Sequence, residues 1–507
     1  MSVLGLDVGT TGTKGVAFDL EGNIVGSAYR EYDLVSPRPG WQELEPERVW
    51  QCVREVLAEV ADATKSDPIK ALAISAQGEA CHAVDKDGKC LTNSVVTFDA
   101  RTADMPAWWL ERISKLDLAK ITGMPLHGMY SLNKILWFKK HEPEAFAKAD
   151  KFLCYEDFVL SRMGLEPVIS HSLAARTMAL DVEAGEWSTK ILELADVDPD
   201  LLARPAPSGD TVGMIPNSVA DDIGLPHGII AAVGGHDQPA GALGAGIVDA
   251  GEAVYSIGTV ECICPVFSTF AVSEQTVANN LCCYASCTPG LFASIAFNFT
   301  GGSLLKWFRD TLGAEEVAEA AKQERDVYDL LCGKGAVDEG QLLVLPHFTM
   351  TGTPHFDTRS RGAIVGLELT TSRDAIISAL LSGVTYEMKL NLEVFTSDGV
   401  ELNRLRAVGG GAKSAVWLQR KADIMGLPVA VPSTTEAAAL GVAMLAGSAS
   451  GLVDSVSDFA SRAIRIERTF EPDPANVARY KERFAAYRQL YDSLKQVHGQ
   501  LADAAND

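Results

Sequence analysis

One short pattern occurs twice in the chain, once in each half: an apolar strand that ends in a Gly-Thr turn. The first copy is LDVGTTGTK at residues 6–14, and the second is YSIGT at residues 255–259. Alternating helix and strand patterns follow each copy, which predicts an α/β fold with a weak internal duplication. The 507 residues, 47% of them hydrophobic, are too many for one ordinary domain. Such a chain is expected to form two domains with a cleft between them.

A stretch near residues 226–260 is rich in Gly and Ala and has no long charged segment, and we place the domain boundary within it, close to residue 246. The predicted units are an N-terminal domain at 1–246, a C-terminal domain at 247–470 and a terminal segment at 471–507. Within that segment, residues 475–499 have the apolar stripe of one amphipathic helix, which is expected to pack on the domain surface.

The charge balance argues against several classes of partner. Acidic residues number 67 against 44 Lys and Arg, so the formal net charge is −23, which repels nucleic-acid phosphates and anionic lipid head groups. No uncharged apolar stretch reaches the roughly 18 residues of a membrane span, and the N-terminus does not resemble a secretory signal. We therefore expect a cytoplasmic protein that binds neither nucleic acid nor membrane.

The ten cysteines do not form the dense framework of a small secreted domain, so most are expected to be reduced thiols. Five of them lie close together in the sequence: Cys262, Cys264, Cys282, Cys283 and Cys287. Their spacing matches no standard zinc pair. A role as small buried apolar residues is favoured, and a metal or redox role for this cluster stays open.

The first Gly-Thr turn offers groups that suit a metal-bound phosphate. Asp7 ends the apolar strand and is a hard oxygen ligand suited to Mg²⁺ or to its bound water. The turn adds backbone N–H groups, three hydroxyls and one cation, supplied by Thr10, Thr11, Thr13 and Lys14. Taken alone, the segment is equally consistent with an ordinary Gly-Thr hairpin.

Two further turns could complete a polyphosphate site. Gly258 and Thr259 form the second Gly-Thr turn, which could hold phosphate from the other side of a cleft. A strand, a triple-glycine turn, a helix and a strand are predicted at 407–431, and Gly409, Gly410 and Gly411 remove side chains where a flat ligand could lie. A tight turn without a ligand is the alternative. The chain contains no Walker-type phosphate loop.

The order of these motifs is specific. LDVGTTGTK, GGHDQPAGALGAG at 234–246, YSIGT and VGGGAKS occur in the order found in the FGGY carbohydrate kinases, which this chain resembles from residue 3 to about residue 447. Further similar segments are GWQELEPERVW at 40–50, MYSLNKILWFKKH at 129–141 and TGGSLLKWFRD at 300–310. The resemblance implies two actin-like (ribonuclease H-like) α/β domains with a deep cleft for ATP and sugar between them.

The resemblance also implies roles for single residues. Asp237 matches the family's catalytic base, although the first residues of a predicted helix also suit an N-cap, and Asp7 matches the residue that positions Mg²⁺. The residues implied to contact ATP are Thr10, Thr11, Thr13, Lys14, Gly258, Thr259, Gly302, Gly409, Gly410, Gly411 and Ser414. Those implied to contact the sugar are Trp41, Gly78, Glu79, Met129, Asp237 and Gln238, with Asp99 and Arg101 as supporting candidates.

Some positions depart from the family pattern. Gly78 stands where glycerol kinases carry Arg, and the same loop lacks the Met-His pair of xylulokinases. The segment 361–387 resembles the family's second signature only in part: Ala375 stands where an aliphatic or aromatic residue is usual, and Ser382 stands where the family usually has Glu. These departures weaken any assignment to a subfamily.

The implied activity is the ATP- and Mg²⁺-dependent phosphorylation of a small sugar or polyol. A ketose such as xylulose or ribulose, or a polyol, is favoured, because the predicted pocket holds the acid Glu79 and no additional cation for a carboxylate. Glycerol, erythritol and gluconate are alternative acceptors. The oligomeric state stays open, and a homodimer is one option.

A nucleotide-dependent sugar sensor on the same fold is an alternative from another class. A dinucleotide-dependent dehydrogenase is the third, although the GxGxxG expected after the first strand is missing.

Overall fold

The structure is a computed structural model that describes residues 1–397 and 399–504. The strands of the N-terminal half are β1 Ser2–Val8, β2 Gly12–Phe18, β3 Ile24–Glu31, β4 Glu43–Leu44, β5 Ile69–Ala76, β6 His82–Val84, β7 Ser94–Val95, β8 Lys151–Leu153, β9 Val168–Ser170, β10 Leu180–Asp181, β11 Glu186–Trp187, β12 Arg204–Ala206, β13 Thr211–Met214 and β14 Ile230–His236. Its helices are α1 Pro46–Ala63, α2 Met105–Leu110, α3 Lys115–Thr122, α4 Ser131–His141, α5 Pro143–Lys148, α6 Tyr155–Arg162, α7 His171–Ala175, α8 Thr189–Ala195, α9 Asn217–Ile223 and α10 Asp237–Gly244.

The first sheet has six strands in the order β13, β14, β5, β1, β2, β3. β1 pairs in parallel with β5 and antiparallel with β2, and β5 pairs in parallel with β14. β1 is buried over almost its whole length, as expected for an apolar strand covered on both faces of a sheet. The predicted hairpin at the first Gly-Thr turn is confirmed, with Asp7 opposite Lys14.

The strands of the C-terminal half are β15 Glu252–Ile257, β16 Glu261–Phe267, β17 Tyr284–Ala285, β18 Phe292–Ala293, β19 Ala296–Asn298, β20 Leu343–Leu345, β21 Ala363–Val365, β22 Arg404–Val408, β23 Val429–Pro432 and β24 Ile466–Phe470. Its helices are α11 Glu274–Ala278, α12 Gly302–Thr311, α13 Ala314–Lys322, α14 Val327–Lys334, α15 Arg373–Ser397, α16 Ala415–Met425, α17 Ala437–Ala449, α18 Val456–Ala463, α19 Pro474–Tyr487 and α20 Leu490–Ala504.

The second sheet repeats the plan of the first. β15 and β16 form an antiparallel hairpin around the second Gly-Thr turn, and β15 pairs in parallel with β22. The order along the sheet is β17, β18, β16, β15, β22, β23, β24, with β19 also paired to β16. The predicted strand, glycine turn, helix and strand at 407–431 are confirmed as β22, the short 3-10 helix Gly410–Lys413, α16 and β23.

α17 follows the second sheet in sequence but packs on the first. Leu440 and Leu445 of α17 share one buried cluster with Val3 of β1 and Ala71 of β5. The last half of the chain therefore returns to cover the sheet of the first half. The domain boundary near residue 246 lies between α10 and β15 and stays a prediction.

Two helices, α19 and α20, stand where the sequence pattern predicts one. α19 ends at Tyr487, and α20 starts at Leu490. This break lets Phe484 and Tyr487 of α19 pack on Tyr386 of α15, while Tyr491 of α20 stacks on His355 with ring centroids 3.7 Å apart. A search of residues 1–397 and 399–504 finds no helix with the length and apolar character needed to cross a membrane.

A buried ion pair joins α16 to the second sheet. Lys421 and Glu261 have fully buried side chains, and Lys421 Nζ lies 2.8 and 2.9 Å from the two carboxylate oxygens. Lys421 Nζ also donates to the Tyr255 hydroxyl at 2.8 Å, and that hydroxyl donates to Glu261. The charges are thus paired and hydrogen-bonded, which is the condition for tolerating them in a core.

We expect Lys421→Met to lower the free energy of unfolding by about 3–5 kcal/mol, because it leaves the Glu261 carboxylate buried without its cation. Urea unfolding followed by circular dichroism measures this. The double variant Lys421→Met with Glu261→Leu removes both charges and should recover much of the loss. A double variant less stable than the single one would contradict this account.

Candidate active site

Asp7 and Asp237 lie at the same edge of the first sheet. Asp7 is the last residue but one of β1, Asp237 directly follows β14, and both strands run parallel to β5 between them. The carboxyl ends of parallel strands meet at one edge, where open α/β sheets place their ligands. The fold therefore brings together two acids that are far apart in the sequence.

Asp237 is the first residue of α10, and its N-cap is His236, so the Asp237 carboxylate is not used as the helix cap. The Asp237 side chain is one-third exposed (33%). Burial and the negative charges of Asp7 and Glu79 raise the pKa of Asp237 to about 7, although a hydrogen bond with the Gln238 side chain opposes the rise. A carboxylate with such a pKa is suited to accept a proton at neutral pH.

Asp7 is held by its neighbour on β5. Its Oδ1 accepts a hydrogen bond from Ser75 Oγ at 2.7 Å. Burial and the charge of Glu436 raise the pKa of Asp7, while Ser75 and Lys14 oppose the rise. Lys14 is not a free cation, because its Nζ lies 2.6 Å from Glu436 Oε1, just before α17.

The three threonines of the first turn differ in their exposure. Thr11 is exposed, and Thr10 is partly buried and donates from Oγ1 to Gln77 Oε1 at 2.9 Å. Thr13 has no exposed surface, and its Oγ1 lies 3.2 Å from the Tyr32 hydroxyl. The expected phosphate contact of Thr13 therefore needs correction, because a fully buried side chain supports the turn and does not reach a ligand.

Glu79 is already paired in the predicted sugar pocket. Its Oε1 forms an ion pair with the Arg176 guanidinium, and its Oε2 accepts from Thr97 Oγ1 at 2.9 Å. The Glu79 backbone has a φ of 62°, an uncommon value for a residue with a side chain. Its carbonyl oxygen accepts hydrogen bonds from the buried Lys134 Nζ at 2.7 Å and from Ser131 Oγ at 3.0 Å, which hold this backbone in place.

Arg176 was missed by the sequence reasoning. It lies just after α7, and no motif marks it in the sequence. Its side chain is 9% exposed, and Nη1 lies 3.9 Å from Cys282 Sγ. The expectation that the pocket holds no additional cation is therefore wrong, although Glu79 neutralises this one.

Gly78 leaves space for a ring. A Cβ at this position would lie 2.8 Å from Nε2 of His236 and 3.5 Å from Nε of Arg176. A larger residue at Gly78 would thus displace the imidazole of His236, the residue next to Asp237.

Trp41, Asp99 and Arg101 form a supporting layer. The Arg101 guanidinium lies between two rings, 4.0 Å from the Trp41 centroid and 4.8 Å from that of Trp137. Asp99 pairs with Arg101 at 2.8 Å and accepts from the backbone N–H of Gln42. Met129, predicted to contact the sugar, is 9% exposed and packs in the same core cluster as Trp109.

Most of the predicted nucleotide residues line one cavity of about 600 Å³. These are Gly258, Thr259, Gly302, Gly410, Gly411 and Ser414. The sequence reasoning did not find Tyr328, Asp329, Cys332 and Trp417, which line the same cavity from α14 and α16. These residues form no recognisable sequence motif, because the two helices that carry them are far apart in the chain.

The three glycines of the turn have different surroundings. A Cβ at Gly409 would lie 2.7 Å from the Ile257 carbonyl oxygen, and one at Gly411 2.2 Å from Ile257 Cγ2. Nothing lies within 4 Å of a Cβ at Gly410. Gly409 and Gly411 thus allow the turn to pack on β15, and Gly410 faces open space.

The five clustered cysteines, Cys262, Cys264, Cys282, Cys283 and Cys287, are all buried and reduced. Burial raises the pKa of each thiol. Within residues 1–397 and 399–504, no group of three or more His, Cys, Asp or Glu side chains is arranged to hold a metal ion.

Comparison with known proteins identifies the family. The profile of the "FGGY family of carbohydrate kinases, N-terminal domain" matches residues 2–244, and that of the C-terminal domain matches residues 253–450. The chain belongs to the FGGY family of carbohydrate kinases. This confirms the predicted family, the two-domain α/β fold and the kinase class, and it removes the dehydrogenase alternative.

Relatives named for several acceptors match the whole chain. The xylulose kinase of Bacillus subtilis is 30% identical over 98% of this chain and 98% of its own length. The glycerol kinase of Bordetella parapertussis is 30% identical over 97% of both chains. Among solved structures, a xylulose kinase from Rhodospirillum rubrum superposes with a TM-score of 0.88 at 26% identity, covering 98% of this chain and all (100%) of the other.

If the nucleotide occupies the 600 Å³ cavity, Gly410→Val should raise the KM for ATP by about tenfold, equivalent to about 1.4 kcal/mol of lost binding. The added side chain enters open space, so the fold and the KM for the acceptor should change little. Gly410→Ala is the matched smaller change and should have a weaker effect. Steady-state kinetics with ATP varied decide the matter, and an unchanged KM in the valine variant would place the nucleotide elsewhere.

Glu79→Ala leaves the Arg176 guanidinium buried without its partner. We expect a loss of stability of about 3–5 kcal/mol, together with a loss of acceptor kcat/KM worth about 1–3 kcal/mol. Glu79→Gln keeps the shape and an acceptor oxygen for Arg176, so it should lose less stability although it also removes the negative charge. A folded Glu79→Ala protein with wild-type acceptor kinetics would show that Glu79 is structural only.

Proposed function

We propose that the protein transfers the γ-phosphate of Mg²⁺-bound ATP to a hydroxyl of an uncharged ketose or polyol, with Asp237 as the general base. The observation that carries the proposal is the position of Asp237, a partly exposed carboxylate beside Asp7 at the ligand-binding edge of the first sheet. Its pKa of about 7 lets it accept the proton that the acceptor hydroxyl loses on attack.

Asp7 is the residue proposed to hold Mg²⁺ through water. The charge of Asp7 raises the pKa of Asp237, so two carboxylates share this edge, and the nearby Lys14 is already paired with Glu436. Such an excess of hard oxygen donors fits a divalent cation. When bound, Mg²⁺ supplies neutralisation of charge on the β- and γ-phosphates.

The first turn and the cavity of the second half share the nucleotide in this proposal. Thr10, Thr11 and Lys14 face the transferring phosphate, while Gly258 and Thr259 contact the polyphosphate from the second sheet. Gly302, Gly410, Gly411 and Ser414 line the place of the adenosine, and Gly409 shapes the turn behind them. Cleft closure over both ligands would keep water from competing as the acceptor.

The charge of the acceptor pocket supports an uncharged substrate. Arg176 is a cation of this pocket, and its guanidinium is paired with the Glu79 carboxylate. A carboxylate on the acceptor would have to displace Glu79 and would lie among the negative charges of Asp7 and Asp237. Glu79, Gln238 and the loop at Gly78 remain the proposed contacts for hydroxyl groups, with Trp41 and Met129 supporting them.

An assay that couples ADP formation to a spectroscopic signal, run with xylulose, ribulose, erythritol, glycerol and gluconate, tests the acceptor class. We expect turnover with a ketose or polyol and little with gluconate. Preferred turnover of gluconate would overturn the uncharged class. Binding of a sugar without ADP formation by any member of the panel would favour the sensor alternative.

We further propose that the reaction takes place in the cytoplasm, that the two domains meet near residue 246, and that the protein has no nucleic-acid or membrane partner. A homodimer is the assembly to test first, by sedimentation of the purified chain at several concentrations.

Asp237→Asn keeps the size of the side chain but removes its capacity to accept a proton. Turnover should fall by roughly 10² or more, while ATP and the acceptor still bind. Stability should change little, because the carboxylate is partly exposed. Rapid-quench kinetics and calorimetric binding separate the two effects, and a folded variant with near wild-type kcat would refute Asp237 as the base.

Asp7→Asn serves as the contrasting variant. It should act through the metal and raise the Mg²⁺ concentration needed for half-maximal rate, because a neutral amide attracts the hydrated cation less strongly than a carboxylate. Titration of the rate with Mg²⁺ at saturating ATP measures this. An unchanged Mg²⁺ response would assign Asp7 another role.

A further inference from the structure

His236 precedes the proposed base and contacts it. Its Nε2 lies 3.2 Å from Asp237 Oδ1, and its Nδ1 lies 3.0 Å from the hydroxyl of Tyr284. The three groups thus form a chain that runs from the second sheet to the Asp237 carboxylate, since Tyr284 begins β17. Neither His236 nor Tyr284 belongs to the residues so far given a role in the reaction.

The imidazole is held firmly in this position. His236 is 4% exposed, and its backbone N–H donates to Ser172 Oγ at 3.0 Å. Gly78 lies against the ring, where a Cβ would come within 2.8 Å of Nε2. The glycine at position 78, which departs from the family pattern, is therefore needed here. A side chain at Gly78 would occupy the space that the His236 ring fills.

Charge and burial assign the protons of this chain. Burial and the positive charge of Arg176 lower the pKa of His236 well below its usual range, so the ring is neutral and carries one N–H. Burial raises the pKa of Tyr284 far above its usual range, so its hydroxyl keeps its proton. A lone pair on Nε2 would face the ionised Asp237, which is unfavourable. The proton therefore belongs on Nε2, and Nδ1 accepts from the Tyr284 hydroxyl.

We propose that Tyr284 and His236 are positioning residues that hold Asp237 for proton transfer, with the Nε2–H of His236 donating to Asp237 Oδ1. This inference rests on the proposed role of Asp237. The observation is the 3.2 Å distance between His236 Nε2 and Asp237 Oδ1. In the proposal, the hydrogen bond forms across this contact, orients the carboxylate and leaves its other oxygen for the acceptor hydroxyl. The other charged groups around the carboxylate are Asp7, Glu79 and Arg176. The Arg176 guanidinium also lies 5.7 Å from the centroid of the Tyr284 ring, a contact that Tyr284→Phe retains.

The contacts from Tyr284 through His236 to Asp237 also link the proposed base to the packing of the two halves of the chain. Asp237 and His236 are on the first sheet and its following helix, whereas Tyr284 is on the second sheet. Tyr284 is fully buried in the same core cluster as Leu173 and Ala174 of α7 in the first half. The hydroxyl that contacts His236 is therefore held by packing that joins the two halves of the chain.

The first test uses Tyr284→Phe and His236→Phe. Each should lower kcat by about tenfold or more, since a hydrogen bond to a charged group contributes about 1.5–3 kcal/mol. The KM values for ATP and the acceptor should change less than about threefold, because neither residue is proposed to bind them. His236→Gln, whose amide can donate to Asp237, should recover part of the kcat.

Tyr386→Phe is the matched control. Tyr386 is a buried tyrosine that packs on Tyr480 and Phe484 in the C-terminal core. Loss of its hydroxyl should leave kcat unchanged. If His236→Phe fails to fold, Tyr284→Phe, which removes a single oxygen atom, decides the question.

The second test repeats Tyr284→Phe in the Asp237→Asn background. If Tyr284 and His236 act through Asp237, adding Tyr284→Phe to Asp237→Asn should lower the residual kcat by less than about twofold. An equal fall in both backgrounds would overturn the proposal, as would wild-type kcat in the single variant. Failure of the base assignment looks different, because Asp237→Asn would then keep its activity whatever the Tyr284 variant does.

Discussion

Close contact between two glycine-bearing helices sets the geometry on which the candidate site depends. A Cβ at Gly244 of α10 would lie 1.7 Å from the carbonyl oxygen of Ala437, and a Cβ at Gly441 of α17 would lie 2.0 Å from that of Ala240. Any side chain at either glycine would force the two helices apart. Asp237 begins the first of these helices, so its position is set by backbone packing and not by a flexible loop.

The same packing positions the residues that are proposed to face the phosphates. A Cβ at Gly5 of β1 would lie 1.8 Å from the Ala439 carbonyl oxygen, so α17 rests directly on the strand that carries Asp7. Glu436 stands at the start of α17 and pairs with Lys14 of β2. A change in the contact between α17 and the first sheet would therefore move the proposed metal ligand and the cation of the turn together. The halves of the chain are coupled through this helix as well as through Tyr284.

Local patterns carried much of the prediction. Four features depend on residues that are adjacent in the chain, and all four are present: the two Gly-Thr hairpins, the helix that starts at Asp237, and the strand, glycine turn and helix around Gly410. Pairs formed across the fold could not be predicted in this way. Glu79 and Arg176 are partners with no sequence spacing to indicate it, and the break between α19 and α20 follows from packing on α15.

The sequence by itself determined the family, the order of its motifs and the candidate acids Asp7 and Asp237, because these are short contiguous patterns with their own backbone preferences. Tertiary structure decided the pKa, the ion pairs and the hydrogen bonds of the residues around these acids. Burial and the charges of Asp7 and Glu79 give Asp237 its raised pKa. The ion pair with Arg176 neutralises Glu79 in the proposed acceptor pocket, and packing of β17 brings Tyr284 to His236. Solvation and charge depend on which segments meet in space, and that is settled only when the sheets and α17 pack together.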